Sequence, residues 1–174
     1  GIATMTRSFV DVVSGTEVQI LDTRKTTPGW RELEKAAVLN GGGHNHRMGL
    51  YDMVMVKDNH LLAAGSLEET QTAIDSIKAN YPDMRIEIEA DSLEQVERFI
   101  QLRSVDVILL DNMDLDQMRQ AAAMKRGNIL LEASGNISLS TLRDTASTGI
   151  DLISVGALTH SFRSVDLGLD FHGP

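Results

Sequence analysis

The chain has 174 residues, 42% of them hydrophobic, with three prolines and no cysteine, so it can bury one proper core but has no disulfide framework, thiolate metal site or catalytic thiol. Its formal net charge of -9 argues against general nucleic-acid binding, which calls for a basic surface, and leaves room only for local anion sites. No apolar run approaches the roughly 20 residues of a membrane helix, so no membrane is expected and a cytoplasmic, reducing setting is.

The elements follow in order. Ile2, Met5, Phe9, Val12 and Val13 recur at helical spacing, which predicts an amphipathic helix ending near Gly15. Its first residues, Gly1 to Arg7, read as the middle of a helix, not as a leader, so a longer protein upstream is expected. Val18–Leu21 is a short strand. Trp30–Leu39 reads as a helix with Leu33, Ala36, Ala37 and Trp30 on one face, stopped by Gly41-Gly42-Gly43. Tyr51–Val56 is the second strand candidate.

A rhythm then sets in. Ser66 with Glu69, Ser92 with Gln95, and Asp114 with Gln117 are capping signatures that each open a helix, and Ser138 opens another. Between them lie strands at Arg85–Glu89, Val105–Leu110, Asn128–Leu131 and Leu152–Val155. Glu89 to Asp111 and Asp111 to Ala133 are each 22 residues, and Ala133 to Gly156 is 23. A βα unit of near-constant length implies parallel strands with right-handed crossovers. About six strands fit, fewer than the eight of a closed barrel. The expected fold is therefore α/β, an open or incomplete TIM-like barrel of about six parallel strands with outer helices, over residues 1–174. A doubly wound sheet is the alternative, but no Gly-x-Gly-x-x-Gly follows the first strand.

In parallel α/β folds, sites gather where strands end at their C-termini. Polar residues stand there in almost every unit. Asp22, Arg24 and Lys25 follow the first strand, and Lys57, Asp58, Asn59 and His60 the second. Glu89 closes the third and Asp111-Asn112 the fourth. Glu132 with Ser134-Gly135-Asn136 follows the fifth, and Gly156-Ala157 with Thr159-His160 the sixth. One rim thus bears cations, then carboxylates, then glycines.

Each position also has a plain reading. Asp22 and Thr23 could cap a turn, Arg24 and Lys25 could be solvated charges, and the triple glycine could be only a helix stop. Against this, three glycines run into His44-Asn45-His46-Arg47, where backbone can approach a ligand closely. His44, His46 and His60 lack a carboxylate at a recognised zinc spacing. Glu89 and Asp111 are spared from capping by Ser92 and Asp114. Arg supplies forks for carboxylates and Lys a point charge. Paired Glu and Asp suit a Mg²⁺-polyphosphate or sugar hydroxyls, and glycine loops suit a phosphate monoester. The residues themselves indicate an enzyme acting on a polyanionic, phosphorylated substrate.

Several blocks resemble one family. Asp22-Thr23-Arg24-Lys25-Thr26-Thr27-Pro28-Gly29, Gly41-Gly42-Gly43-x-Asn45-His46-Arg47, Lys57-Asp58-Asn59-His60, Leu109-Leu110-Asp111-Asn112, Glu132-Ala133-Ser134-Gly135 and the run Gly149 to His160 are similar to quinolinate phosphoribosyltransferases. The resemblance implies transfer of phosphoribosyl from phosphoribosyl pyrophosphate to quinolinate, with Mg²⁺, yielding nicotinate mononucleotide, pyrophosphate and CO₂ for NAD synthesis. It implies Arg24, Lys25, His46, Arg47 and Lys57 around the quinolinate carboxylates, with Lys25, Glu89 and Asp111 catalytic. Glu89 and Asp111 would face ribose and Mg²⁺, directly or through water. Ser134, Gly135, Gly156, Ala157 and His160 would complete the phosphate side. It further implies a homodimer or higher homo-oligomer and an N-terminal domain that completes the partner's site, so this chain is expected to be the barrel domain of a longer protein. Asn136 departs from the pattern, standing where a second glycine is frequent.

Two rivals remain at this level. One is a relative of the same fold associated with molybdenum transport, expected to lack the full Lys57–His60 block. The other is a non-catalytic module that binds phosphorylated ligands.

Overall fold

The computed structural model describes residues 1–171 and 173. Its elements, in order, are α1 (Ile2–Val12), β1 (Gln19–Leu21), α2 (Arg31–Asn40), β2 (Val54–Val56), α3 (Asp58–Ala64), α4 (Leu67–Asn80), β3 (Ile86–Ala90), α5 (Leu93–Phe99), β4 (Val107–Asp111), α6 (Leu115–Met124), β5 (Leu130–Ser134), α7 (Leu139–Ala146), β6 (Leu152–Ser154) and α8 (Ala157–His160). The six strands form one parallel sheet in the order β1-β6-β5-β4-β3-β2. The first two strands therefore lie at opposite edges. A single cavity touches residues from or just after all six, which a flat sheet could not provide. The sheet is curled into an open barrel, as the repeat length implies.

Strand alternation divides the core in two. Ile88, Ile108 and Leu131 are register partners across β3, β4 and β5. They join Leu110, Ala133 and Ile153 in the main core against the helices, all fully buried. The intervening residues point into the barrel, where Leu21, Val107 and Leu152 form a separate small cluster. The seam between β1 and β2 is partly closed by the glycine loop. His44 bridges to Leu21, donating its N–H to the Ile20 carbonyl (2.8 Å) and accepting from the Asp22 N–H (3.1 Å).

The caps form where the sequence signals place them. Ser66 accepts from the Glu69 N–H, Ser92 from Gln95 and Asp114 from Gln117, and Ser138 opens α7 with Thr141. Two aspartates brace strand starts in the same manner. Asp106 accepts from the Ile86 N–H (2.7 Å) and pairs with Lys78, and Asp151 accepts from the Leu131 N–H (2.8 Å) and pairs with Lys125.

Three expectations need correction. The Lys57–His60 block does not trail off as a loop. Lys57 is the N-cap of α3, and His60 Nδ1 accepts the Lys57 N–H (3.0 Å), so polar residues that look like a turn begin a helix. The second strand is confined to Val54–Val56, with Tyr51 exposed in the preceding turn. The helix α2 turns the other way from its predicted face. Trp30 and Leu33 are 59% and 65% exposed, while Glu34, Lys35 and Val38 are buried, because the polar pair has partners inside. Truncating Ile88 to alanine should cost about 2–4 kcal/mol in urea unfolding. Leu33→Ala should stay within about 0.5 kcal/mol.

Candidate active site at the barrel mouth

One face of α2 places two loops. Lys35, fully buried, pairs with the equally buried Asp22 at the end of β1 and also donates to the His46 carbonyl (3.0 Å). Asp22 also accepts from the His46 N–H (2.9 Å) and from Asn45 Nδ2 (2.5 Å). Both backbone polar groups of His46 are thus held by one ion pair. Arg31, one turn earlier, donates to the carbonyls of Arg24 and Met48 (each 3.3 Å), and Glu34 accepts the Thr27 N–H (3.0 Å). Isolated, either charge of a buried pair would be expensive; together, with their remaining hydrogen-bonding capacity satisfied, they fix the loops that carry the cations.

Those cations converge. A cavity of about 410 Å³ at the C-terminal mouth is lined by Arg24, Lys25, His46, Arg47, Lys57, Glu89, Asp111 and Ser134. A second, of about 470 Å³, adjoins it and is lined by Ser134, Gly135, Asn136, Gly156, Ala157 and His160. Lys25, Asp111 and Ser134 border both. Thus each site residue expected from the sequence lies at this mouth, the cations in one chamber and the glycines in the other. His44 and His60 are not among the residues lining either chamber; the former pairs with β1 through its backbone and the latter caps α3.

The first chamber has an excess of positive charge over what its own acids neutralise. Arg24 Nε is buried without a partner. Burial, and then the charge of Arg24, lower the pKa of Arg47, whose guanidinium, among the described residues, reaches only the Met53 carbonyl (3.5 Å) and Met55 Sδ (3.3 Å). Two crowded guanidiniums with donors to spare are a receptor for a carboxylate pair. Lys57 is ion-paired with Glu89, its neighbour at the end of the adjacent strand. Lys25 is anchored by its carbonyl, which accepts from the buried Thr159 hydroxyl (2.7 Å), tying the first loop to the last.

The second chamber depends on backbone. Gly135 adopts φ 94° and a Cβ there would overlap the Asn112 side-chain oxygen, so only glycine fits. Asn136, where a glycine is frequent in the family pattern, takes φ 53° and donates to Asn112 Oδ1 (3.2 Å), a conformation asparagine tolerates. A Cβ at Gly156 would meet His160 Nε2 at 3.0 Å.

Two buried acids, Glu87 and Glu132, lie at the base of the first chamber, and Glu132 lines it. His46 Nε2 lies 3.0 Å from Glu87 Oε2 and 3.5 Å from Glu132 Oε2, and the two glutamates are 0% and 1% exposed. Burial lowers the imidazole's pKa, but the hydrogen bonds and charges of Glu132 and Glu87 outweigh it and push the ring up to about 10. Burial also raises the carboxyl of Glu87. The Arg47 N–H donates to Nδ1 (2.8 Å), opposing a second ring proton there, so Nε2 carries a proton in either charge state. The three side chains have their ligand atoms within 4.8 Å of one another, yet a protonated Nε2 offers no lone pair to a metal. The signal for Glu87 was its spacing: with Glu89 it occupies the inward positions of one strand.

The chain matches over residues 2–170 the family model described as quinolinate phosphoribosyl transferase, C-terminal domain. It is 47% identical to a carboxylating nicotinate-nucleotide pyrophosphorylase from Mycobacterium leprae, over 98% of this chain and 60% of that protein. A probable enzyme of the same name from Bacillus subtilis is 45% identical, over 98% and 58% respectively. A solved nicotinate-nucleotide pyrophosphorylase from Ehrlichia chaffeensis superposes with a TM-score of 0.87 at 45% identity, covering 98% of this chain and 61% of that one. The chain thus spans about three-fifths of the length of these relatives. Lys35→Met should cost about 3–5 kcal/mol in urea unfolding by leaving Asp22, whose pKa burial already raises, without its cation, and adding Asp22→Asn should recover part of it.

Proposed function

On the premise that this chain belongs to the quinolinate phosphoribosyltransferase family, we propose that it is the barrel of an enzyme joining quinolinate to the ribose of phosphoribosyl pyrophosphate, with loss of pyrophosphate and CO₂, in NAD synthesis. The observation that carries this reading is the chamber where Arg24 and Arg47 crowd together, one with an unpartnered buried donor, beside Lys25 and Lys57. A planar pyridine diacid satisfies those donors. The adjoining glycine chamber suits the 5′-phosphate, and the residues shared by both, Thr23, Lys25, Asp111, Ser134 and Ser154, then stand near the ribose.

In this reading the guanidiniums of Arg24 and Arg47, with Lys57, hold the two carboxylates beside the wall that His46 forms and aim the ring nitrogen at C1 of the sugar, turning a bimolecular encounter into a positioned attack. Positive charge grows on the sugar as pyrophosphate departs, and the carboxylates of Glu89 and Asp111 offset it while Lys25 meets the leaving charge. The bond then formed makes the ring a pyridinium, an electron sink for loss of the carboxylate adjacent to its nitrogen. Glu89 and Asp111 offer hard oxygen donors at one opening, matching the way Mg²⁺ is usually held, by one or two carboxylates plus substrate phosphates. Bound there, Mg²⁺ would supply charge neutralisation for the pyrophosphate.

The assembly proposed is a homodimer or larger homo-oligomer in the cytoplasm, on the family resemblance and the absence of cysteine. Among the described residues no helix is long and apolar enough to cross a membrane.

Titration calorimetry of the full-length protein tests the reading: quinolinate should bind, Arg47→Ala should abolish that binding, and adding phosphoribosyl pyrophosphate should release nicotinate mononucleotide. Binding without turnover would favour the non-catalytic module. Arg24→Ala and Lys57→Ala should each weaken quinolinate about 10- to 100-fold, the cost of a lost charged hydrogen bond, and weaken phosphoribosyl pyrophosphate much less. Equal losses for both ligands would sink the division of the mouth into two chambers. Glu89→Gln and Asp111→Asn should instead lower kcat and raise the Mg²⁺ concentration needed for half-maximal rate.

A further inference from the structure

The barrel interior holds two carboxylates that the proposed chemistry does not use. Glu87 on β3 and Glu132 on β5 are almost wholly excluded from solvent. They are not needed to fill space: the layer next to them is hydrocarbon from Leu21, Val107, Leu130 and Leu152. Buried charge is also weak support for a fold, since apolar residues of similar size usually serve as well or better. Neither oxygen of Glu87, nor Oε1 of Glu132, gains a well-aligned hydrogen bond from the protein. What the two carboxylates share is one neighbour, the Nε2 of His46, at 3.0 and 3.5 Å.

Below them lies a further cavity of about 340 Å³ that also touches His46, Arg47, Glu87 and Glu132. The ring is thus a partition between two spaces. The lower space is itself polar, lined also by Glu17, Gln19, Arg85 and Asp151, and the two glutamates are the acceptors that meet Nε2 at the boundary. Its backbone is pinned by the Asp22–Lys35 pair, and that pair does not reach the imidazole.

We propose that Glu87 and Glu132 are positioning residues: from the cavity floor they fix the imidazole of His46 as a wall of the upper chamber, and through it the shape of the quinolinate seat. This rests on the quinolinate reading of the chamber above. Glu87 does not line the upper chamber, and Glu132 borders it beside His46. Their effect is confined to the orientation of the ring and to the Nε2 proton they hold between them. Because Nε2 is shared and not committed to one acceptor, each glutamate limits the ring from a different strand.

The test is a double-mutant cycle in the full-length enzyme, with Glu87→Gln and Glu132→Gln made singly in the native and His46→Gln backgrounds, and KM for each substrate and kcat measured. In the native background each substitution should raise KM for quinolinate about tenfold while KM for phosphoribosyl pyrophosphate stays within twofold. In the His46→Gln background the same substitutions should change KM for quinolinate by less than twofold. Equal losses in both backgrounds, or no loss in the native one, overturn the proposal. So does a matching rise in KM for both substrates, which a purely structural role would give. Glu132→Asp, which keeps the charge but withdraws it, should reproduce the selective loss and stands in should the amide variant not fold. If the unmutated enzyme fails to join quinolinate to phosphoribosyl pyrophosphate, the underlying reading falls and takes this one with it. Turnover with additive losses refutes the positioning role alone.

Discussion

The mouth of this barrel depends on one buried ion pair. Asp22 ends the first strand and Lys35 points inward from the helix that follows it, each fully excluded from solvent. A pair so placed is justified energetically only if its spare bonds are used, and they are: Asp22 takes the His46 amide and Asn45, and Lys35 takes the His46 carbonyl. The consequence is geometric. A glycine-rich loop with no regular structure of its own is fixed onto the edge of β1, in the seam that six strands leave open.

That fixation lets like charges coexist. Arg24 and Arg47 come from different loops, and the charge of Arg24 adds to burial in lowering the pKa of Arg47. Lys57 is held in check by Glu89. The remainder of the acidic surface does not neutralise them, because they lie in a concave chamber. The scaffold thus meets the cost of keeping cations close together in advance, which would be preorganisation in the proposed site for a dianion. The second chamber uses the opposite means, with few charges and a backbone that only glycine can follow at Gly135.

Much of this could be read from residue order. The capping residues at Ser66, Ser92, Asp114 and Ser138 were legible because cap chemistry is local, a side chain and an amide three residues on. The rim was legible because parallel strands carry their functional loops at one end. The helix α3 was not, since a lysine N-cap with a histidine in the box lies outside the usual cap residues. Nor was the inward face of α2. Its apolar residues suggested one stripe, and tertiary partners for Glu34 and Lys35 selected another.

The sequence by itself therefore determined the parallel α/β architecture, the unit length and which loops hold charge, since these follow from short-range periodicity and caps. Whether Glu87 and Glu132 would meet could not be read there. They sit on strands separated by β4 and in different register rows, with Glu87 beside Val107 and Glu132 beside Leu109. In a flat sheet their side chains would stand apart. Only the curl and tilt of the open barrel's wall bring them to one height around His46, and curvature is a property of the packed sheet that no single strand encodes.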